Sequence, residues 1–357
     1  MILSSFSYKT YGWELEEMNA LNLTNLLVGK NAAGKTRTIN ALKNVTRFMQ
    51  MNSIVFGSTD GFKTKLTFVN PQDDNWRMEY SFEIDKSNVK AEKLKLNDKT
   101  LINRKDGKAS FMGEPINPPI KKLVVQIRRD REAYPEIEAL MGWTEGVVAV
   151  SCSNINPFTV ILGNTSTIVN PFPFSTLVDS LDTSMKRKVL EKAKRLGYEI
   201  VDINTVQTGS EIQLVSVKER NVKHDIMDFQ LSSGMIRVLY LLCFLEFLKR
   251  GKMASILLID DLGEGLDYQR ATLLGKEMFE VCENEGMQMI ASSNDSFLMD
   301  VVEISKWQIL RRKNSKLSAL NQANSPELFN YFRMTGLSNF DLFSSDFIDT
   351  FLERSSK

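Results

Sequence analysis

The residue types best suited to chemistry in this 357-residue chain form a loop that is bounded by glycines and ends in lysine and threonine. The loop reads Gly29-Lys30-Asn31-Ala32-Ala33-Gly34-Lys35-Thr36 and matches the pattern G-x-x-x-x-G-K-[ST]. Its glycines permit a tight turn that exposes successive backbone N–H groups, and the N-terminus of a following helix adds partial positive charge. We therefore predict that the loop binds phosphate, with Lys35 reaching the β- and γ-phosphates and the Thr36 hydroxyl binding Mg²⁺.

The sequence on either side of the loop supports this interpretation. An apolar strand, 25–28, precedes the loop, and helical periodicity over roughly 38–52 follows it. The alternative is a strand-to-helix turn that contains glycine and binds nothing, but all four fixed positions and both flanking elements agree with the pattern. The predicted nucleotide-binding residues are Gly29, Lys30, Asn31, Ala32, Ala33, Gly34, Lys35, Thr36 and Arg37.

A second group of candidate residues follows an apolar strand, 254–259. This strand ends in Asp260-Asp261, and an acidic pair after four or more apolar residues is the Walker-B arrangement, in which the first carboxylate holds Mg²⁺. The pattern alone is weak, because many buried strands end in aspartate. Glu264 lies three residues beyond Asp261 and is the alternative candidate for a catalytic base.

Further polar turns lie on either side of this acidic strand. Ser232 and Gly234 open an apolar helix, where a hydroxyl and free N–H groups suit a phosphate, although an ordinary N-cap is the simpler explanation. Asp267 follows the acidic strand, and Asn294 follows the next apolar strand, 288–290.

In this order the motifs resemble those of the ABC-type ATPases of the RecF, SMC and overcoming-lysogenization-defect (OLD) group. The resemblance implies an α/β fold of the P-loop NTPase class: an ABC-ATPase-type head with an antiparallel β lobe, a parallel-sheet α/β lobe and a helical C-terminal cap. It also implies a dimer of heads that encloses ATP and Mg²⁺, in which Ser232 and Gly234 complete the partner's site and Asp267 lies at the seam. Gln126 is a candidate for the glutamine that senses the γ-phosphate. The implied metal ligands are Thr36, Asp260 and Gln126.

Three positions depart from the pattern of that group. Ala32 replaces a glycine, Asp261 replaces the glutamate that orients the attacking water, and Asn294 replaces a histidine. Asp261 is one methylene shorter than glutamate, and a misplacement of about 1 Å can cost on the order of 10²-fold in rate. Asn294 can hydrogen-bond a phosphate but carries no charge and shuttles no proton. We therefore expect slow hydrolysis and a long-lived ATP-bound state, with Lys35, Asp261, Asn294 and Glu264 as the catalytic residues.

The same resemblance suggests a division of the chain. We expect an ATPase head over 1–315, composed of lobe I over about 1–130, an irregular or helical insertion over 131–224 and lobe II over 225–315. Residues 316–357 then form a helical cap or a partner-docking segment, because aromatic residues recur from Phe329 to Phe351.

Local patterns predict further elements. Period-two alternation indicates antiparallel strands over 64–69 and 76–84, and shorter strands are expected over 90–96, 101–104 and 120–127. Helical spacing is expected over 131–140 and 183–196, and a hairpin around 208–210. The segment 151–175 is rich in Asn, Ser, Thr and Pro and is expected to be irregular. His224, the sole histidine, is interpreted as incidental.

Composition narrows the class of protein. Lys+Arg number 45 against 44 Asp+Glu, so the net charge of +1 does not by itself indicate a nucleic-acid partner. The three cysteines are widely spaced and suggest reduced thiols in the cytoplasm. We expect no signal peptide and no membrane anchor, since the longest apolar run is far shorter than the ~20 residues of a membrane span.

Three functions are compatible with these motifs. The first is a slow ATPase whose ATP-dependent homodimer, or higher homo-oligomer, regulates a separate effector such as a nuclease or toxin, as in OLD-like antiviral defence. The second is a RecF-like repair ATPase that binds DNA. The third is a scaffold that binds nucleotide without hydrolysing it. No long heptad region is present, which argues against a head that carries a coiled coil.

Overall fold

The computed structural model describes residues 1–51, 61–155, 172–208, 212–251, 254–344 and 346–355. The chain divides into two compact units: the first unit is 1–147 with 304–357, and the second unit is 148–303. The expected boundaries at 130, 224 and 315 do not coincide with these units. Residues after 303 belong instead to the unit that contains the phosphate loop.

The elements are named here in chain order. The strands are β1 Ile2–Thr10, β2 Trp13–Met18, β3 Thr24–Val28, β4 Phe62–Asn70, β5 Asp73–Asp85, β6 Asn88–Leu96, β7 Lys99–Lys105, β8 Lys108–Phe111, β9 Glu114–Ile116, β10 Val147–Ser151, β11 Ile200–Thr208, β12 Ile212–Glu219, β13 Ile226–Met227, β14 Ile256–Asp260, β15 Gln288–Ser292, β16 Trp307–Lys313 and β17 Lys316–Leu320. The helices are α1 Lys35–Gln50, α2 Val124–Ile127, α3 Pro135–Glu145, α4 Phe174–Ser180, α5 Thr183–Arg195, α6 Ser233–Gly251, α7 Tyr268–Asn284, α8 Ser296–Val301, α9 Pro326–Thr335, α10 Asn339–Ser344 and α11 Phe347–Ser355.

A large, mostly antiparallel sheet forms the first unit, with its strands in the order β3-β16-β17-β2-β1-β4-β5-β6-β7-β8-β9. Two neighbouring pairs are parallel, β3 with β16 and β17 with β2. The alternation predicted for 64–69 and 76–84 is confirmed, because β4 and β5 point Leu66, Phe68, Tyr80 and Phe82 into the core. Helix α1 packs its buried face, which includes Phe48, onto this layer, since the Phe48 and Phe82 rings stack at 5.6 Å.

The second unit combines a parallel strand pair with helices and a small antiparallel sheet. Strands β14 and β15 are parallel, and β11, β12 and β13 form the separate sheet. Helix α6 is apolar and buried on nearly all sides, as its sequence predicts. Its buried Glu246 accepts hydrogen bonds from Lys192 at 2.7 Å and Lys249 at 3.1 Å, so this carboxylate is paired with cations.

The segment 120–127, expected as a strand, contains the short helix α2 instead. The cause is Glu92 of β6, whose buried carboxylate accepts hydrogen bonds from the N–H groups of Val124 at 2.7 Å and Val125 at 3.2 Å. Burial raises the pKa of Glu92 to about 7, against the opposing effect of these donors. Tyr80 Oη also donates to it at 3.0 Å.

The remaining local predictions agree with the structure in kind and differ in bounds. The helix expected over 131–140 begins only at Pro135, and the one over 183–196 is α5. The region 316–357 opens with β17, so its helices begin at Pro326. The tip of the hairpin around 208–210 and most of the irregular segment 151–175 lie outside the described residues.

Candidate functional site

The loop between β3 and α1 has the backbone of a phosphate-binding turn. Gly34 has a φ of 110°, in the left-handed region that glycine tolerates best. At Gly29 a Cβ atom would lie 3.0 Å from both the Leu310 carbonyl oxygen and the Ala33 Cβ, so the loop approaches β16 too closely for a larger residue. The Ala33 N–H donates to the Lys30 carbonyl at 2.9 Å and closes the turn.

Ala32 has a left-handed backbone conformation, which glycine would adopt without strain. Its φ is 61°, and an L-residue in that region costs roughly 1–2 kcal/mol. The substitution therefore preserves the shape of the loop and adds a small local strain.

Lys35 folds back over the loop that it follows. Its side chain is buried, with 6% exposed, and its Nζ donates to the Gly29 carbonyl at 2.6 Å. Thr36 is the next residue of α1. The ammonium group thus lies against the loop backbone, where a phosphate held by the loop N–H groups would meet it.

Two residues expected at the nucleotide are engaged elsewhere in the first unit. The guanidinium of Arg37 lies over the Trp13 ring, 4.6 Å from its centroid. Gln126 Nε2 donates to the carbonyls of Phe48 at 3.0 Å and Met51 at 2.8 Å, at the far end of α1. With a rise of about 1.5 Å per residue, that end lies roughly 20 Å from Lys35. Gln126 therefore caps the C-terminal end of α1 in this structure. It does not lie beside the loop, where a metal ligand was expected.

A cavity of about 330 Å³ lies beside the loop. It is lined by Gly29, Lys30, Asn31, Ala32, Ala33, Ile309, Leu310, Arg311, Arg312, Ile348 and Asp349. Asp349 of α11 accepts a hydrogen bond from Arg311 and lies 4.0 Å from Lys30 Nζ, and Asp346 lies 3.8 Å from the same Nζ. Asp349 of α11 and Asp346, the residue before this helix, thus bring two carboxylates to the cations beside the loop, a relationship that no local sequence pattern indicates.

The acidic pair lies where the sequence placed it, at the end of β14 in the second unit. Asp260 is 5% exposed, and its Oδ1 accepts a hydrogen bond from Ser292 Oγ at 2.6 Å. The same Oγ accepts from the Asp261 N–H at 3.0 Å. Ser292 ends the parallel strand β15, so it fixes both aspartates from the neighbouring strand. Sequence reasoning missed Ser292, although its position at a strand end is the signal that could have identified it.

Asp261 begins a strained turn. Its φ is 59°, and the turn closes with a 3.2 Å hydrogen bond from the Glu264 N–H to the Asp261 carbonyl. Aspartate tolerates the left-handed region better than most residues because its short polar side chain can bond locally. The departure from glutamate at this position therefore agrees with the backbone conformation.

The turn before α6 is an N-cap, as its simpler explanation predicted. Ser232 Oγ accepts a hydrogen bond from the Met235 N–H at 3.2 Å. Ser232 is nevertheless exposed. A Cβ atom at Gly234 would lie 3.3 Å from the Leu266 side chain, so this turn packs closely on the loop that follows Asp261.

Asp267 and Asn294 complete the set of predicted residues. Asp267 caps α7 by accepting from the Arg270 N–H at 3.1 Å, and this bond, with the adjacent guanidinium, lowers the pKa of the Asp267 carboxyl. Asn294 is exposed just after β15, and His224 is exposed as well. The structure therefore gathers Asp260, Asp261 and Glu264 at one turn and leaves Asn294 at the surface.

Two features are absent from the described ranges. No group of three or more His, Cys, Asp or Glu side chains gathers there to hold a metal ion. Mg²⁺ commonly takes only one or two protein ligands and completes its shell with water and phosphate oxygens. In the same ranges, every helix is too short or too polar to cross a lipid bilayer.

Comparisons with known proteins connect this geometry to a fold. No protein-family model matches the sequence, and no curated protein matches it. Among solved structures, an Smc head bound to the C-winged helix domain of ScpA superposes with a TM-score of 0.56 and 11% identity, over 90% of this chain and 98% of that chain. An Smc head with an extended coiled coil, bound to the C-terminal domain of ScpA and derived from Pyrococcus furiosus, gives a TM-score of 0.55 and 10% identity, over 93% of this chain and 99% of that one. This chain therefore has the fold of an SMC-type head, which is the ABC-ATPase head fold that the order of its motifs implied.

Proposed function

We propose that this protein binds MgATP at the Gly29–Thr36 loop and hydrolyses it slowly. The observation that carries this proposal is the position of Lys35, which is buried against the loop with its Nζ 2.6 Å from the Gly29 carbonyl oxygen. A lysine held there is placed to exchange that carbonyl for the β- and γ-phosphates of a nucleotide. The proposal of ATP rather than GTP as the nucleotide rests on the resemblance to ATPases alone.

Thr36 and Asp260 are the proposed protein ligands of Mg²⁺. Both offer hard oxygen atoms, which suit this cation. The hydrogen bond from Ser292 Oγ to Asp260 Oδ1 orients the Asp260 carboxylate at the end of β14. Bound Mg²⁺ would neutralise the charge that develops on the phosphates.

Asp261 is the proposed base that orients the attacking water, and Glu264 is the alternative. Slow turnover follows from two features: Asp261 is shorter than the usual glutamate, and Asn294 replaces a proton-transferring histidine. The strained φ of Asp261 supports a specific role, because such conformations persist where the surrounding structure imposes them.

We further propose that ATP closes a homodimer in which Ser232 and Gly234 of one chain contact the nucleotide of the other. The exposure of Ser232 at the N-terminus of α6 supports this arrangement, since helix N-termini attract phosphate. The output of the dimer would be regulation of a separate effector, such as a nuclease or toxin in phage defence. Heads of this fold do bind separate proteins, as the two Smc heads bind ScpA domains.

The proposal is tested with purified protein, by ATP titration and by phosphate release. Lys35→Ala should weaken ATP binding at least about tenfold, because it removes a charged hydrogen bond to phosphate worth roughly 1.5–3 kcal/mol. Asp261→Ala should retain binding and lose hydrolysis. Turnover at ordinary enzyme rates, roughly 1–10³ s⁻¹, that is unchanged in Asp261→Ala would contradict the assignment.

A further inference from the structure

Arg237 connects two parts of the second unit that are distant in sequence. It lies in the second turn of α6, five residues after Ser232. Its Nη1 donates to the Glu264 carbonyl at 2.7 Å, and its Nε is buried without a hydrogen-bond partner in the described part of the chain. One guanidinium therefore reaches from the helix that Ser232 opens to the turn that Asp261 opens.

Gly265 makes room for this side chain. A Cβ atom at Gly265 would lie 2.0 Å from Arg237 Nη1, a separation that real side chains do not reach. Gly265 also has a φ of 73°, which disfavours other residues. The turn after Asp261 is thus shaped around the guanidinium as well as around its own backbone.

Arg237 and the carboxylates of this region lie near the same buried thiol. Burial raises the pKa of Cys152 most, Arg237 lowers it, and Asp261, Asp260 and Glu264 raise it further. Arg237 therefore brings a positive charge close to the acidic turn that its hydrogen bond reaches.

Direct packing adds a second connection between the same two parts. A Cβ atom at Gly234 would meet the Leu266 side chain at 3.3 Å and the Gly265 carbonyl oxygen at 3.6 Å. The Ser232 turn and the 264–266 segment are therefore in close contact at the surface, where Arg237 also joins them.

We infer that Arg237 is a positioning residue that ties the Ser232 turn to Asp261 and Glu264 of the same chain. This inference rests on the proposed function and deepens it. A nucleotide of the partner that binds at Ser232 would set, through Arg237, the carboxylates that act on the chain's own nucleotide. The two sites of the dimer would then hydrolyse ATP in a coupled manner.

Two variants break this contact from opposite sides. Arg237→Met removes the charge and the hydrogen bond but keeps the length of the side chain, and Gly265→Ala displaces the guanidinium. The matched control is Gly286→Ala, because Gly286 has a similar φ of 65° but nothing within 4 Å of an added Cβ. Arg237→Lys keeps the charge and should rescue part of the activity.

We expect Arg237→Met and Gly265→Ala to lower kcat by about tenfold or more, as a misplaced base would, while the KM for ATP changes by less than about twofold. Gly286→Ala should match the wild type, and Arg237→Lys should be intermediate. Wild-type kcat in Arg237→Met would overturn the inference and leave the ATPase assignment intact. A wild-type protein that hydrolyses no ATP would overturn both.

Mixed dimers distinguish two roles for Arg237. It could position the carboxylates of its own chain, or it could only shape the Ser232 turn that is offered to the partner. With excess Lys35→Ala partner, the active site of each mixed dimer uses its own Asp261 and the partner's Ser232. Arg237→Met should slow turnover when it is on the chain with the intact loop. It should have little effect on the Lys35→Ala chain, and the opposite result would overturn the inference.

Discussion

The carboxylate of Asp349, eight residues before the end of the sequence, accepts a hydrogen bond from the guanidinium of Arg311 beside the phosphate loop. The Nζ of Lys30, within the loop, lies 4.0 Å from the same carboxylate and 3.8 Å from that of Asp346. Helix α11 therefore contributes negative charge at the place where an anionic nucleotide is proposed to bind.

Removing this charge should strengthen ATP binding. We expect Asp346→Asn/Asp349→Asn to lower the Kd for ATP by roughly two- to fivefold at low salt, because exposed charge pairs are worth about 0.2–1 kcal/mol. The gain should shrink in high salt, since screening acts on exposed charges. Fluorescence titration at two ionic strengths measures both effects. Glu327→Gln, on the exposed start of α9, is the control for a change in net charge alone. A weaker affinity in the double variant would instead show that these carboxylates help to hold the ligand.

Ser292 should affect hydrolysis through the two aspartates that it contacts. We expect Ser292→Ala to reduce ATP hydrolysis by about tenfold and to raise the Mg²⁺ concentration that is required, because partners of metal ligands typically contribute 10–100-fold. Ser293→Ala is the matched comparison, since Ser293 Oγ donates to the Leu262 carbonyl at 2.7 Å rather than to Asp260. Equal Mg²⁺ dependence in the two variants would contradict the assigned role.

Complementation tests the composite site. Lys35→Ala lacks the lysine of the phosphate loop, and Ser232→Arg blocks the turn offered to a partner, so each homodimer should be inactive. A mixture should regain some turnover, because one site of each mixed dimer combines an intact loop with an intact turn. Random pairing limits the gain to about a quarter of wild-type turnover. Coupling through Arg237 lowers it further, because the chain with the intact loop carries the blocked Ser232 turn. Phosphate release at varied mixing ratios measures this. A mixture as inactive as its components would argue against sharing of sites.

Glu92 should make stability depend on pH. Its pKa of about 7 in the folded chain exceeds the usual 4.5. The folded state therefore binds more protons between these values, and the free energy of unfolding should fall as pH rises from about 4.5 to 7, by up to about 1.4 kcal/mol per unit. Urea unfolding at several pH values measures the slope. Glu92→Gln should flatten it, and Glu83→Gln, on the outer face of β5, should leave it unchanged.

The C-terminal helices should act first as a cap. Phe329 is fully buried and Phe332 nearly so, whereas Met334 is 84% exposed. We expect Phe329→Ala to lower the free energy of unfolding by about 3–5 kcal/mol, and Met334→Ala to change it by less than about 0.5 kcal/mol. Deletion from 325 onward should then abolish solubility. A soluble, stable truncated protein would favour the docking-segment interpretation of this region.

Local sequence predicted the parts of the site that consist of contiguous residues. The phosphate loop, the acidic end of β14 and the Ser232 turn each follow from a pattern of adjacent positions, and the alternating strands β4 and β5 follow from period two. Contacts between distant segments could not be predicted from such local patterns. The pairing of Ser292 with Asp260 depends on the register of two strands, and the pairing of Arg311 with Asp349 depends on the return of the chain to the first unit.

The wrong prediction of a strand over 120–127 has the same cause, a contact between distant segments. Its apolar residues have the composition of a strand, but the buried Glu92 offers its carboxylate to two successive N–H groups, and helical backbone is what presents them together. Gln126 donates to the carbonyls at the end of α1, a contact that its local sequence does not predict. In both cases a polar side chain of one segment forms hydrogen bonds with backbone groups of another segment that would otherwise lack partners.

The hydrogen bond from Lys35 to the Gly29 carbonyl also bears on how tightly a phosphate could be held. A buried ammonium group that already donates to a backbone carbonyl gains from a phosphate only the difference between the two interactions. The affinity of the loop for phosphate should therefore be lower than the charge of Lys35 alone would give.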